Sequence, residues 1–391
     1  QPGGHLTTFA YTSDLQVSRV ALPTGDTIGY GYRPSQATAV LEHSRSSVQT
    51  SQGVSYTHEG LARFSEQFNA GRDTLTRYAY DALGRLASRR RHVANPACAA
   101  VDTTQELGNA CYGSQIPIDS LVFSYDSVGN RTDANAALDG ANRLLRFGGD
   151  TLTFDLDGNV IRRYRLADST LFNQRLYWNA IGQLDSVRTT ANGTSKSLRF
   201  AYDGWGRRVK KDNDITAKFF VYSGDHVAAD YTGVGLAATY SYYPGTDLPH
   251  ALHLGSGDRY YYLTNGRTDV TGVIDSAGGV AKMYKYTPFG QSEAETQGID
   301  QPLRFAGREF DDESGLYFNR ARYYAPDLGR FISEDPLGLA AGINKYAYAG
   351  NNPCSNRDPS VLDDEQRTAC GEMALLADGL RAKRGNPMEW A

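Results

Sequence analysis

Side chains able to do chemistry are sparse in this 391-residue chain, and few of them cluster. The seven histidines, His5, His43, His58, His92, His226, His250 and His253, are scattered. The one close pair, His250 and His253, has no carboxylate set beside it to complete a metal site. No G-x-S-x-G elbow, Walker loop or H-E-x-x-H helix occurs, so neither a metal nor a cofactor is expected. Four cysteines form two local pairs, Cys98 with Cys111 and Cys354 with Cys370, without the C-x-x-C spacing of zinc ligands. Loop length favours two local disulfides over crossed ones. Disulfides in turn imply an oxidising compartment and a secreted or cell-surface protein, against the alternative of four free thiols in a cytosolic one. Two Asp-Pro steps, Asp335-Pro336 and Asp358-Pro359, are ordinary turn starters.

The elements that must position these residues read as β structure. The chain holds 26 Tyr against 3 Trp and 3 Met at a mean hydropathy of −0.49, a composition for sheet wetted on both faces in many places and for a hollow shell. A net charge of −4 and a pI near 6.0 supply no basic field, so nucleic acid is not an expected partner. No apolar run approaches the ~20 residues of a transmembrane helix. The opening Gln1-Pro2-Gly3-Gly4 lacks a start Met and a signal peptide's regions, and a processed chain or part of a longer parent is expected.

Residues 1–301 repeat themselves. The clearest copies are Tyr80-Asp81-x-x-Gly84-Arg85, Tyr125-Asp126-x-x-Gly129-Asn130, Phe154-Asp155-x-Asp157-Gly158-Asn159, Trp178-Asn179-x-x-Gly182-Gln183 and Tyr202-Asp203-x-x-Gly206-Arg207, with looser ones at Asp275-x-x-Gly278 and Thr287-x-x-Gly290. In this motif an aromatic ends a strand, Asp or Asn caps a type I turn, and Gly takes the left-handed position of a G1 bulge. Each unit is then a β-hairpin, and since one hairpin is marginal alone, successive units must stack into a long sheet. Only degenerate copies occur before residue 77, which still read as strand. Residues 93–117 interrupt the rhythm as a long insertion.

Between Pro302 and Leu362 the chain reads Phe305-Ala306-Gly307-Arg308-Glu309, Gly315-Leu316-Tyr317, Arg322-Tyr323-Tyr324-Ala325-Pro326, Gly329-Arg330-Phe331 and Asn344-Lys345-Tyr346-Ala347-Tyr348, with the two Asp-Pro steps bracketing the last of these segments. Leu316–Phe318 and Arg322–Tyr324 are short strands, and Asp327-Leu328-Gly329 is a turn. This ordered stretch resembles the core of RHS/YD-repeat proteins. The resemblance implies an all-β fold, YD-repeat hairpins in a spiralling, barrel- or cocoon-like hollow sheet, with the core as its plug. It also implies an aspartyl-type pair, Asp335 and Asp358 with Arg357 adjacent, that cuts the chain between Leu362 and Asp363. Two carboxylates brought close share a proton and serve as acid and base toward a water.

Val361 departs from the family's Gly, and the 29 residues after Leu362 are short for a toxin domain, so a vestigial protease is expected. In that tail Ala369, Met373, Leu376 and Leu380 recur at helical spacing until Gly385-Asn386-Pro387. The organisation expected is a repeat shell over 1–301, a core over 302–362 and a helical tail over 363–391. The function expected is a structural, self-associating or adhesive module completed by other copies or by a longer parent chain, because about a dozen hairpins are too few for a closed cocoon. The alternative is a toxin-encapsulating shell that encloses a C-terminal peptide and cleaves itself after Leu362.

Overall fold

The computed structural model describes residues 7–11, 17–25, 27–33, 36–44, 49–56, 62–68, 74–93, 117–165, 167–168 and 171–357. One nine-stranded sheet runs from β1 (Thr8–Tyr11) to β9 (Asp119–Val122), and a sixteen-stranded sheet from β10 (Ala137–Leu138) to β25 (Ser292–Glu295). In both, every strand pairs with its neighbours in sequence, and the pairing is antiparallel. Among the described residues neither sheet closes on itself. Four further strands, β26 (Glu309–Asp311), β27 (Leu316–Asn319), β28 (Arg322–Ala325) and β29 (Arg330–Phe331), form a small sheet within the core stretch. The expected C-terminal helix and most of the 93–117 insertion lie outside the described residues.

The repeat turns have the expected chemistry. Asp203 Oδ1 accepts from the N–H groups of Trp205 and Arg207 at 2.9 and 3.0 Å, and Gly206 sits at φ +79°. Asn179 does the same for Ile181 and Gln183 with Gly182 at +76°, and Asp81 for Leu83 and Arg85 with Gly84 at +75°. A bulge precedes each turn, at Ala201/Tyr202, Tyr177/Trp178 and Ala79/Tyr80. Two copies escape a search for glycine, because Asn142 and Thr268 occupy the left-handed position in turns headed by Asp139 and Asn265.

The motif's aromatic does more than end a strand. Trp178 Nε1 donates to Val160 O at 2.8 Å, Tyr202 Oη to Leu184 O at 2.7 Å, Tyr222 Oη to Arg208 O at 2.9 Å and Tyr286 Oη to Val270 O at 2.9 Å. Tyr125 reaches Leu86 O in the same way at 2.8 Å. Each aromatic thus reaches back to the carbonyl just past the turn of the repeat before it. Neighbouring hairpins are tied at the rim as well as along the ladder, and a buried phenol that finds a partner avoids the cost of an unpaired hydroxyl.

Along β12 (Asp150–Phe154) to β16 (Thr194–Tyr202) the inner face is filled rather than wet. Leu152, Val160, Leu176, Leu184, Val187 and Leu198 pack against Leu316, Phe318, Tyr323 and Ile332 of the core stretch. All residues of β27 and β28 are buried, so these strands alternate between two apolar surroundings instead of between core and water. The first sheet meets the second through Val20 and Leu22 on Ala251, Tyr261 and Ile274.

Candidate functional site

The core stretch docks by reading the repeat turns. Tyr346 Oη donates to Gly158 O at 2.8 Å, Asn351 Nδ2 to Gly129 O at 2.8 Å and Tyr317 Oη to Gly290 O at 3.2 Å, while Tyr324 Oη reaches Phe289 O at 2.7 Å. A left-handed glycine turns its carbonyl away from the strand ladder, leaving an acceptor that a core side chain satisfies.

Charge fixes the same interface. Arg208, 1% exposed, reaches Glu309 at 2.7 Å and Asp311 at 2.6 Å, and Lys211 reaches Asp311 and Glu313, each at 2.9 Å. Burial works to raise the Asp311 carboxyl pKa, but Arg208 and Lys211 outweigh it and hold the group below its ordinary value. The guanidinium of Arg208 also lies over the Phe318 ring at 4.5 Å.

A second buried carboxylate, Asp247, accepts from Arg308 at 2.7 Å and Arg320 at 2.8 Å, and its backbone N–H donates to His226 Nε2 at 3.0 Å. His226 stacks on Tyr242 with ring centroids 4.4 Å apart. This cluster borders a cavity of about 660 Å³ between the repeat rim, with Trp178, Tyr202 and Tyr222, and the core, with Phe318, Tyr323 and Pro336. Burial pushes the Asp247 pKa up, yet Arg308 and Arg320 more than offset this and bring it down to about 2. A folded pKa below the unfolded one stabilises the fold fully above about pH 4, and the contribution is lost as pH falls toward 2. That contribution is roughly 2 kcal/mol. Asp247→Asn is therefore expected to be less stable than the parent at pH 7 and to lose less on acidification, as urea denaturation at a series of pH values reads. Parallel pH profiles in the two proteins contradict the assignment.

Asp335 starts a turn: Oδ1 accepts from Leu337 N at 2.9 Å and its carbonyl from Gly338 N at 2.8 Å. Its Oδ2 pairs with the buried Arg322 at 2.6 Å. Arg357 is buried and donates to Thr268 Oγ1 at 2.9 Å, and that burial lowers its pKa. The contacts described thus tie Arg357 to a repeat turn and Asp335 to Arg322. Asp358, Leu362 and Asp363 lie outside the described residues, as do Cys98, Cys111 and Cys370. Cys354 is buried beside Leu86, Phe123 and Phe289, is bonded to no other cysteine among the described residues, and burial pushes its thiol up to about 12. Among the described residues no group of His, Cys, Asp and Glu is arranged to hold a metal ion. Arg208, Asp247 and the Asn142 and Thr268 turns were not legible as site residues. Only the turns left a signal, the Asp or Asn four residues before Arg143 and Asp269.

Stacked Tyr-Asp hairpins with a core stretch docked on their inner face define a YD-repeat shell protein of the RHS class. The chain belongs to the teneurin YD-shell family, whose sequence profile matches residues 112–354. It is 31% identical over 369 residues to double-stranded DNA deaminase toxin A of Burkholderia cenocepacia, covering 84% of this chain and 24% of that protein. Toxin protein Tse5 of Pseudomonas aeruginosa is 28% identical over 341 residues, covering 73% of this chain and 25% of its own length. The chain thus spans about a quarter of the length of these curated relatives. Among solved structures, the crystal structure of TcdB2-TccC3-TEV aligns over 91% of this chain and 21% of its own, with 17% identity and a TM-score of 0.46. No described helix is long and apolar enough to cross a membrane.

Proposed function

We propose that this chain is the shell segment of a toxin-carrying protein that acts outside the cytoplasm, and that stacked hairpins and docked core together enclose the polypeptide following Leu362. The observation that carries this reading is the burial of Arg357, the last described residue, where it donates to Thr268 of a repeat turn instead of standing at an exposed rim. The names of the two relatives, both toxins, support the same reading. Limited proteolysis tests it. Peptide bonds after Leu362 should resist a non-specific protease while the shell is native and be cut once urea opens it. Cutting at the unfolded-peptide rate under native conditions contradicts enclosure.

Within this reading Asp335 is an anchoring turn residue, its two carboxylate oxygens engaged by Leu337 N–H and Arg322. The chain should remain intact through Leu362-Asp363, because a β-branched Val361 resists the positive φ that Gly would allow. Intact-mass measurement reads this directly, and efficient cleavage of the unmodified chain sinks it. Cutting that arises in Val361→Gly and vanishes on adding Asp335→Asn identifies a competent carboxylate pair with a blocked substrate.

A structural, self-associating role is favoured by a different observation. On β18 (Ala217–Ser223) to β20 (Gly235–Tyr242), Phe219, Val221, Tyr231 and Leu236 stand exposed beside a loop tip carrying the fully exposed Val234. Sedimentation velocity on the chain distinguishes a monomer from such an assembly.

A further inference from the structure

The outer face of the large sheet carries an arrangement that folding does not call for. Arg162 on β13 (Val160–Arg165) lies directly opposite Arg175 on β14 (Phe172–Trp178), which lies directly opposite Arg188 on β15 (Leu184–Ala191). Their neighbours in sequence, Leu176 and Val187, point into the core, so Arg175 and Arg188 stand on the solvent side, where both are exposed. Like charges directly opposed across strands are destabilising. None of the three makes an ion pair among the described residues. Arg162 donates through Nε to Asn173 Oδ1 at 3.0 Å and lies over the Tyr164 ring at 4.3 Å, contacts that orient it without neutralising it.

Hydroxyls continue the row at both ends. Thr153 on β12 is opposite Arg162, and Ser197 on β16 is opposite Arg188. The five positions run across the strands over about 19 Å, with cations at steps of ~4.8 Å. A guanidinium binds a carboxylate or sulfate through paired hydrogen bonds.

We propose that this row binds an acidic polysaccharide lying across β12–β16, with its carboxylate or sulfate groups on Arg162, Arg175 and Arg188 and its hydroxyls on Thr153 and Ser197. Such a polymer supplies anions at intervals of one sugar and hydroxyls between them. A single-stranded nucleic acid calls for a succession of stacking rings, and here Tyr164 is already covered by Arg162, leaving Tyr177 as the exposed ring beside the row. A membrane surface calls for apolar side chains to insert, and the row has none. The site lies on the face opposite the core stretch, so it is independent of whether the shell encloses a cargo.

The test titrates the whole chain with heparin and with polygalacturonate by calorimetry, beside an Arg175→Thr/Arg188→Thr variant. The parent is expected to bind at least one of the two, and the variant to bind roughly tenfold more weakly or worse. The variant should also show a shallower salt dependence, since fewer counterions are exchanged. Its melting temperature should be unchanged or raised, because opposed like charges have been removed. Absence of binding to both polymers, or equal affinity in the variant, overturns the proposal. Tighter binding to single-stranded DNA or to vesicles of anionic phospholipid than to either polysaccharide overturns the assignment of the ligand.

Discussion

Replacing Arg208 by Met is expected to destabilise the protein by about 3–5 kcal/mol and to release the core stretch from the shell. The side chain is 1% exposed and pairs with two carboxylates of β26, Glu309 and Asp311, more than 100 residues away. Methionine fills much of the volume, so the loss comes from charge and not from a cavity. Lys211 still reaches Asp311, while Glu309 loses its described partner. Adding Glu309→Gln to the Arg208→Met chain should recover part of the loss, since a neutral amide costs less to bury than an unpaired carboxylate. Urea denaturation of the two variants checks both statements, and a loss under about 1 kcal/mol for Arg208→Met would falsify the account of the interface. The buried Asp311, held ionised by the same cations, ties this interface to acid: its stabilisation is complete above the ordinary carboxylate range and is lost as pH falls through its lowered folded value.

The second large effect separates two glycines that hold the same position of the repeat motif. Gly182 and Gly290 both occupy the fourth position of a repeat turn, at φ +76° and +83°. A Cβ built at Gly182 meets nothing within 4 Å, whereas at Gly290 it lies 2.5 Å from the Phe305 ring. That ring cannot retreat, because it is packed among Tyr317, Tyr324, Phe331 and Tyr348. Gly182→Val is expected to cost the left-handed strain alone, about 1–2 kcal/mol. Gly290→Val should cost a further ~1–3 kcal/mol from overpacking and should weaken the Tyr317 bond to the Gly290 carbonyl. Melting temperatures of the two variants decide the matter: equal losses mean that backbone strain is the whole effect and that the core does not press on the turn.

The division between what is local and what is not runs through these residues. The Asp or Asn that heads most repeats binds N–H groups two and four residues on, and the glycine needs positive φ within the same turn, so the hairpins, their bulges and their stacking order were determined by the sequence itself. Leu316–Asn319 and Arg322–Ala325 were legible as strands for the same reason. The turns at Asn142 and Thr268 were harder to read, because the left-handed position there is held by residues other than glycine. Only the tertiary structure decided which turns the core grips, since Gly158 and Gly182 have the same local chemistry and only Gly158 lies under Tyr346. It also decided that Arg208 is an interface residue and Arg207, one position earlier, a turn residue bound to Asp203. Alternation along a strand sends adjacent side chains to opposite faces. What each face then meets depends on register summed over many strands and on chain returning from more than 100 residues away, and no local pattern encodes that.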